Sequence, residues 1–220
     1  MREKGKRFLS LGSMFIAAFV IWTFLVQRVD VQPIGAMETD IGFAAINGWF
    51  HKMTGVHMAI YHITDWLGLV PIFICMLFGV LGLFQWIKRK SLLKVDCDII
   101  ILGVYYIIVI FAYLIFEMIP INYRPILIEG VLEASYPSST TLLVLCVMPT
   151  LVEQVGRRTE KKKMIRSIKV FSISFSVFMV LGRLLSGVHW LTDIIASILF
   201  SIGLFCIYKA IIVLCYNEEK

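Results

Sequence analysis

The sequence predicts an all-α protein: a six-span transmembrane helix bundle with an interfacial helical segment between spans one and two. Three observations predict it. Hydrophobic residues fill 59% of the 220 positions and charged residues only 16%, where a typical soluble domain is about 45–50% apolar with glycine counted and about 25% charged. The apolar residues gather into six runs of near-spanning length, and at about 20 residues per span six of them with their loops use nearly the whole chain. The basic residues cluster at the ends of those runs. Residues 1–220 therefore read as a single membrane-embedded domain.

The first run, 8–26, follows Arg2, Lys4, Lys6 and Arg7. It is longer than the apolar stretch of a secretory leader and has no small-x-small cleavage site before Arg28, so an uncleaved anchor is expected. Segment 27–66 mixes apolar and polar residues, among them Pro33, Gly35, Asn47, Trp49, His51, His57, Tyr61 and His62. It reads as a pair of interfacial helices. His57 and His62 are five apart and fall off a common helical face, so hydrogen bonding, not metal binding with Asp65, is expected of them. The next runs are 67–87 and 99–116. Runs 141–155 and 168–181 are shorter, the one with Glu153 near its end and the other carrying Ser172, Ser174 and Ser176. The last run is 191–214.

Orientation follows from lysine and arginine counts over the short loops. With six spans, one side carries seventeen basic residues, Lys220 included, and the other four, Arg28, Lys52, Arg124 and Arg183. The richer side is cytoplasmic by the positive-inside rule, which puts both termini inside a multi-pass protein of the cell membrane. Segments 27–66, 117–137 and 182–190 then face outward. The net charge of +6 is thus a topology signal, not a nucleic-acid footprint. Cys75, Cys97, Cys146, Cys206 and Cys215 lie in or beside apolar runs without CxxC or Cys/His spacing, so neither disulfide nor zinc is expected.

The spans carry almost no ionisable residues in their interiors, which argues against a proton or ion relay at the midplane. The unusual polar residues gather instead at the outward ends of spans three to six. In segment 182–193, His189 and Asp193 are four apart at the start of a helix and share a face, so the carboxylate is placed to accept the imidazole N–H and leave the other ring nitrogen free. Arg183, before a Ser-Gly turn, can grip an oxyanion nearby. Segment 117–141 adds Arg124-Pro125 and Tyr136-Pro137-Ser138-Ser139-Thr140-Thr141. Ser138 is a candidate N-cap, and the N–H groups behind it form a ready phosphate cradle at the positive end of a helix dipole. The clustered carboxylates and histidines that an ion needs are missing from this set, so no metal and no cofactor are expected.

These residues resemble the type-2 phosphatidic acid phosphatase superfamily of membrane lipid phosphatases, whose three motifs lie at the outer membrane surface. The family's third motif is Ser-Arg, five residues, His, three residues, Asp; here it reads Gly182-Arg183, five residues, His189, three residues, Asp193. Its first motif is Lys, six residues, Arg-Pro; here Glu117 stands for Lys ahead of Arg124-Pro125. Its second is Pro-Ser-Gly-His; here it reads Pro137-Ser138-Ser139-Thr140. The resemblance implies a hydrolase acting on a lipid phosphate or lipid diphosphate at the outer face. His189 would form a phosphohistidine, oriented by Asp193, with Arg124, Arg183, Ser138, Ser139 and Thr140 around the phosphate.

Two departures need a joint explanation. Thr140 replaces the family's proton-donating histidine, and a threonine hydroxyl holds its proton too tightly to serve as an acid near neutral pH. Glu117 exchanges a positive charge for a negative one and weakens the hold on a dianion. Three explanations are open: a diphosphate substrate whose leaving group needs no acid; Glu117, buried at the membrane edge, as the relocated acid; or a site that binds a lipid phosphate without turnover, as a lipid-binding or transport protein, or that recognises a head group whose cation pairs with Glu117, which includes phosphodiester head-group transfer.

Overall fold

The computed structural model describes residues 2–215; Lys220, counted above among the basic residues, lies outside them. Eight α-helices carry the chain: α1 Arg2–Val26, α2 Ala44–Thr54, α3 Met58–Leu67, α4 Leu69–Arg89, α5 Cys97–Met118, α6 Ser139–Arg158, α7 Lys162–Leu185 and α8 Leu191–Cys215. Six helices are long and apolar enough to cross a membrane, with α3 and α4 forming one 32-residue span, Met58–Arg89. The chain is an all-helical integral membrane protein of the predicted class. One boundary differs from the expected interfacial pair: only α2 stands apart. α3 runs through Gly68 into α4, with Tyr61 and Thr64 buried on the face turned to the bundle and His62 and Asp65 exposed.

α6 and α8 form the centre. Val144, Cys146, Val147 and Met148 of α6 and Tyr208 and Ile212 of α8 are almost wholly buried and pack against Leu102, Tyr105 and Val109 of α5 and Met179 of α7. Large apolar side chains on the remaining helices face outward, among them Phe24, Phe73, Phe84, Phe111 and Phe171. A water-soluble protein does not leave so many exposed together; the hydrocarbon of a bilayer covers them. α1 lies antiparallel against α8, and small residues set how close they come. A Cβ on Gly12 would sit 3.0 Å from the Gly203 carbonyl oxygen, and one on Gly203 would sit 2.7 Å from Ile16.

At the bundle end away from His189, ion pairs tie the helices together. Glu153 takes Arg157 (3.0 Å) and Lys209 (2.5 Å), and Arg158 reaches the buried Asp98 (3.0 Å). At the opposite end, the segments between the helices assemble around the start of α8. Asn47 of α2 donates to the Thr192 hydroxyl (3.0 Å) and accepts the Thr192 N–H (3.3 Å), and the indole of Trp22 in α1 donates to the Thr192 carbonyl (3.1 Å). Gly187 adopts φ +72° where the Gly55 carbonyl passes 2.1 Å from the position a Cβ would take. Only glycine fits there. These contacts hold the turn 186–190, and with it His189.

Candidate functional site

The segment between α5 and α6 is a hairpin. Glu129 and Gly130 both have positive φ, 50° and 80°, which a two-residue primed turn demands, and Ile128 and Val131 exchange backbone hydrogen bonds across it (3.0 and 2.8 Å). Nearer the bundle the Arg124 N–H donates to the Glu133 carbonyl (3.0 Å) and the Ser135 N–H to the Asn122 carbonyl (2.9 Å). The Trp190 indole donates to the Tyr123 carbonyl (2.8 Å), which docks the hairpin beside His189.

His189 is 3% exposed. Its Nδ1 lies 3.1 Å from the Ser135 carbonyl oxygen. A carbonyl only accepts, so Nδ1 carries the hydrogen and Nε2 keeps its lone pair. Nε2 is buried and has no hydrogen-bond partner. Burial first, then the charges of Arg124 and Arg183, hold the imidazole pKa well below its ordinary value, outweighing the Ser135 carbonyl that raises it. The ring is neutral at neutral pH and offers one free nitrogen.

The structure corrects the expected link between His189 and Asp193. Their closest approach, Nδ1 to Oδ2, is 3.8 Å, too long for a hydrogen bond. The carboxylate is drawn to the open start of its own helix: Oδ2 accepts the Trp190 N–H (2.9 Å), while Oδ1 accepts from Asn122 Nδ2 (3.3 Å). Asp193 is thus a neighbouring charge to the ring, and a backbone carbonyl orients it.

Arg183 is 1% exposed and Arg124 8%. Both guanidinium groups stand over the ring of Tyr61, at 5.0 and 5.8 Å from its centroid. Arg183 Nη1 makes long contacts to Asp65 Oδ1 and Thr64 Oγ1, both 3.5 Å. Arg124 Nε faces Glu133 Oε2 at 3.0 Å. Arg183 Nε and Arg124 Nη1 are buried without a hydrogen-bond partner. Burying two cations beside one imidazole is costly unless an anion offsets it. Asp65 and Glu133 supply part of that offset, and Arg183 Nε and Arg124 Nη1 are left as donors for a further acceptor.

The remaining predicted residues divide. Ser139 and Glu117 line the same small cavity, about 10 Å3, as His189, together with Tyr113, Phe116, Ser135 and Leu142. Glu117 is exposed at the end of α5 and makes no ion pair among the described residues; the burial on which its role as a relocated acid depends is missing. Ser138 is fully buried, and its hydroxyl donates to Thr141 Oγ1 (3.0 Å) and accepts from no open helix N–H. The expected cap is therefore not made, since the residue is enclosed where α6 meets α8. Thr140 turns from the His189 cavity to line a second one, an apolar groove of about 530 Å3 between α4, α5 and α6 whose polar end holds Asp65, Ser139 and Thr140. His57 Nε2 contacts the Thr54 carbonyl (2.9 Å), and Asp65 faces Arg183, away from any shared ion.

Five residues around the site were not foreseen: Tyr61 and Asp65 from α3, and Asn122, Glu133 and Ser135 from the hairpin. The Glu129-Gly130 pair was the available signal for that hairpin. Gly182 explains how α3 reaches the site. A Cβ there would lie 2.5 Å from Thr64 Cγ2, so the absent side chain lets α3 pack on α7 and brings Tyr61 and Asp65 to Arg183.

No family profile and no curated protein match the chain. Among solved structures it is similar to a transmembrane PAP2-type phosphatidylglycerolphosphate phosphatase from Bacillus subtilis, with a TM-score of 0.61 and 16% identity over 94% of this chain and 96% of that one. At that identity the likeness is one of fold: this chain has a membrane lipid phosphatase-like fold.

Proposed function

We propose that this chain, as one membrane-embedded domain, is a lipid phosphatase that uses His189 as nucleophile on a phosphate held by Arg124 and Arg183 at the outer membrane face, with both termini cytoplasmic. The observation that carries the reading is the buried, unpartnered lone pair of His189 Nε2, with two guanidinium groups near enough for their charges to lower the ring's pKa and with unpartnered N–H groups of their own. Nε2 attacks phosphorus, the bond from phosphorus to the leaving oxygen breaks, and water later releases phosphate from the phosphohistidine. The imidazole gains positive charge as it attacks, and Asp193 beside Nδ1 stabilises that charge. Ser139 N–H and hydroxyl stand at the start of α6 to complete the cradle.

The groove between α4, α5 and α6 supports a lipid as the bearer of that phosphate. Tyr113, Ser139 and Leu142 line both the groove and the His189 cavity, so an acyl or prenyl tail lying along Leu69, Ile72, Val109 and Leu143 brings its head to His189. The positive-inside count supports the outward orientation of this end, and neither nucleic acid nor metal enters the scheme. The test is phosphate release by the purified protein from a panel of lipid phosphates and diphosphates, with acid-labile, alkali-stable labelling of the protein as a second readout. His189→Ala should abolish both; equal release by wild type and variant removes the nucleophile assignment.

A further inference from the structure

Besides Asp193 beside the ring, three carboxylates lie around the proposed phosphate position on separate elements: Asp65 of α3 against Arg183 at 3.5 Å, Glu133 of the hairpin against Arg124 at 3.0 Å, and Glu117 at the end of α5 on the wall of the His189 cavity. They outnumber the two guanidinium groups. A bare phosphate dianion entering here would take the arginines from Asp65 and Glu133 and leave all three carboxylates facing added negative charge. A substrate that brings its own cation beside the phosphate leaves each charge with a partner.

The proton supply points the same way. The residues lining the His189 cavity include two tyrosines, one glutamate and two serines. Tyr136 donates or accepts at Thr23 Oγ1 (2.7 Å), and burial pushes its pKa up, so it is a poor acid. Thr140 faces the apolar groove, and neither it nor the serines release a proton near neutral pH. An ammonium two carbons from the ester oxygen would meet both needs, since it is a cation for the rim and an acid within reach of the leaving oxygen.

Resting on the phosphatase reading above, we infer that the substrates are 2-aminoalkyl phosphate esters, with Glu117 as the residue that selects the ammonium group. In the step, the bond from His189 Nε2 to phosphorus forms while the bond from phosphorus to the aminoalkyl oxygen breaks, and the ammonium proton passes to that oxygen. The amino alcohol leaves with a neutral amine, and water then cleaves the phosphorus–nitrogen bond.

Two lipid types carry this group, one in the polar head and one in the tail-bearing alcohol. Purified protein is therefore given phosphatidylethanolamine, a sphingoid-base phosphate, phosphatidylcholine and phosphatidate in mixed micelles. Turnover of either of the first two at least about tenfold above phosphatidate supports the inference and tells which source is used. Phosphatidylcholine, a cation without an N–H, should inhibit without being cleaved. Glu117→Gln should reduce that preference about tenfold, and Glu3→Gln, on the exposed start of α1, should preserve it. Phosphatidate cleaved as well as the amino esters, with Arg183→Ala still abolishing turnover, overturns the ammonium inference and leaves the phosphatase reading intact. None of the four cleaved, with a lipid diphosphate still cleaved by the wild type and not by Arg183→Ala, overturns the ammonium inference alone; no cleavage of the diphosphate either removes both.

Discussion

Replacing Asp193 by asparagine separates two ways in which a carboxylate can serve a histidine. Where it accepts the ring N–H, its loss scrambles the tautomer as well as the charge. Here the Ser135 carbonyl already accepts from Nδ1 at 3.1 Å, so the asparagine variant keeps the tautomer and loses only the charge at 3.8 Å. At an effective dielectric of about 20 that charge is worth about 4 kcal/mol to a full imidazolium. With about half the charge developed at the transition state the loss is about 2 kcal/mol, or about 30-fold in kcat. The amide must still accept the Trp190 N–H at 2.9 Å, which one of its two orientations allows, and the cost to stability is about 1 kcal/mol. The assay is single-turnover phosphate release beside a thermal melt. A fall in kcat beyond about 10,000-fold with the fold intact would show that Asp193, not Ser135, fixes the tautomer; a fall under threefold would show that no charge develops on His189.

Four further outcomes follow, two of them from His189 itself. His189 titrates well below its ordinary value in the folded chain, so its ring contributes no acid limb to kcat/KM near pH 6.5; a limb there that vanishes in no other variant would mean the ring is not held neutral. The same shift makes the unfolded chain bind the extra proton as pH falls below about 6.5, so His189 lowers stability in acid down to its folded pKa and adds no slope above about 6.5, which His189→Gln should flatten in melts from pH 5 to 8. Ile72→Trp, on the groove wall, should lower kcat/KM about tenfold for long-tailed lipids through a misfit of about 1–3 kcal/mol and leave a short-chain analogue unchanged; equal losses for both would empty the groove of its role. Gly182→Ala sets a Cβ 2.5 Å from Thr64 Cγ2 and should cost about 1–3 kcal/mol, seen as a lowered melting temperature, with Thr64→Ser restoring most of it in the double variant.

The spans were legible because hydropathy is a property of composition over a window, and a bilayer selects on nothing finer. α3 was misread for the same reason: Tyr61, His62, Thr64 and Asp65 lower the local hydropathy, yet Tyr61 and Thr64 face α7 and the arginines, so the helix continues the second span. The spacing of Arg183, His189 and Asp193 on a turn and a helix start points to the centre of the proposed site. The orienting partner of His189 was not readable, because it is a main-chain carbonyl that any residue at position 135 supplies. Tyr61, more than sixty positions from Arg124 and over a hundred from Arg183, meets them only through the packing that Gly182 permits.

What distinguishes this site from an ordinary buried ion-pair network is the state of its nitrogen atoms. At the other end of the bundle, Arg158, Asp98, Glu153, Arg157 and Lys209 bond to one another at 2.5–3.0 Å, which is how a structural cluster offsets desolvation. Around His189 the pairing is incomplete: Glu133 holds Arg124 Nε at 3.0 Å, but Arg183 keeps its acidic partner at 3.5 Å, Arg124 Nη1 and Arg183 Nε stay buried without acceptors, and the lone pair of His189 Nε2 has no donor. Each such group costs about 1–3 kcal/mol, more when charged, and folding alone offers no return for three of them in one place. An anionic ligand that accepts from both guanidinium groups would offset the two unpartnered N–H groups, and an electrophilic phosphorus would engage the imidazole lone pair, so the cost of this unpartnered arrangement is the argument for the proposal that it takes a phosphate.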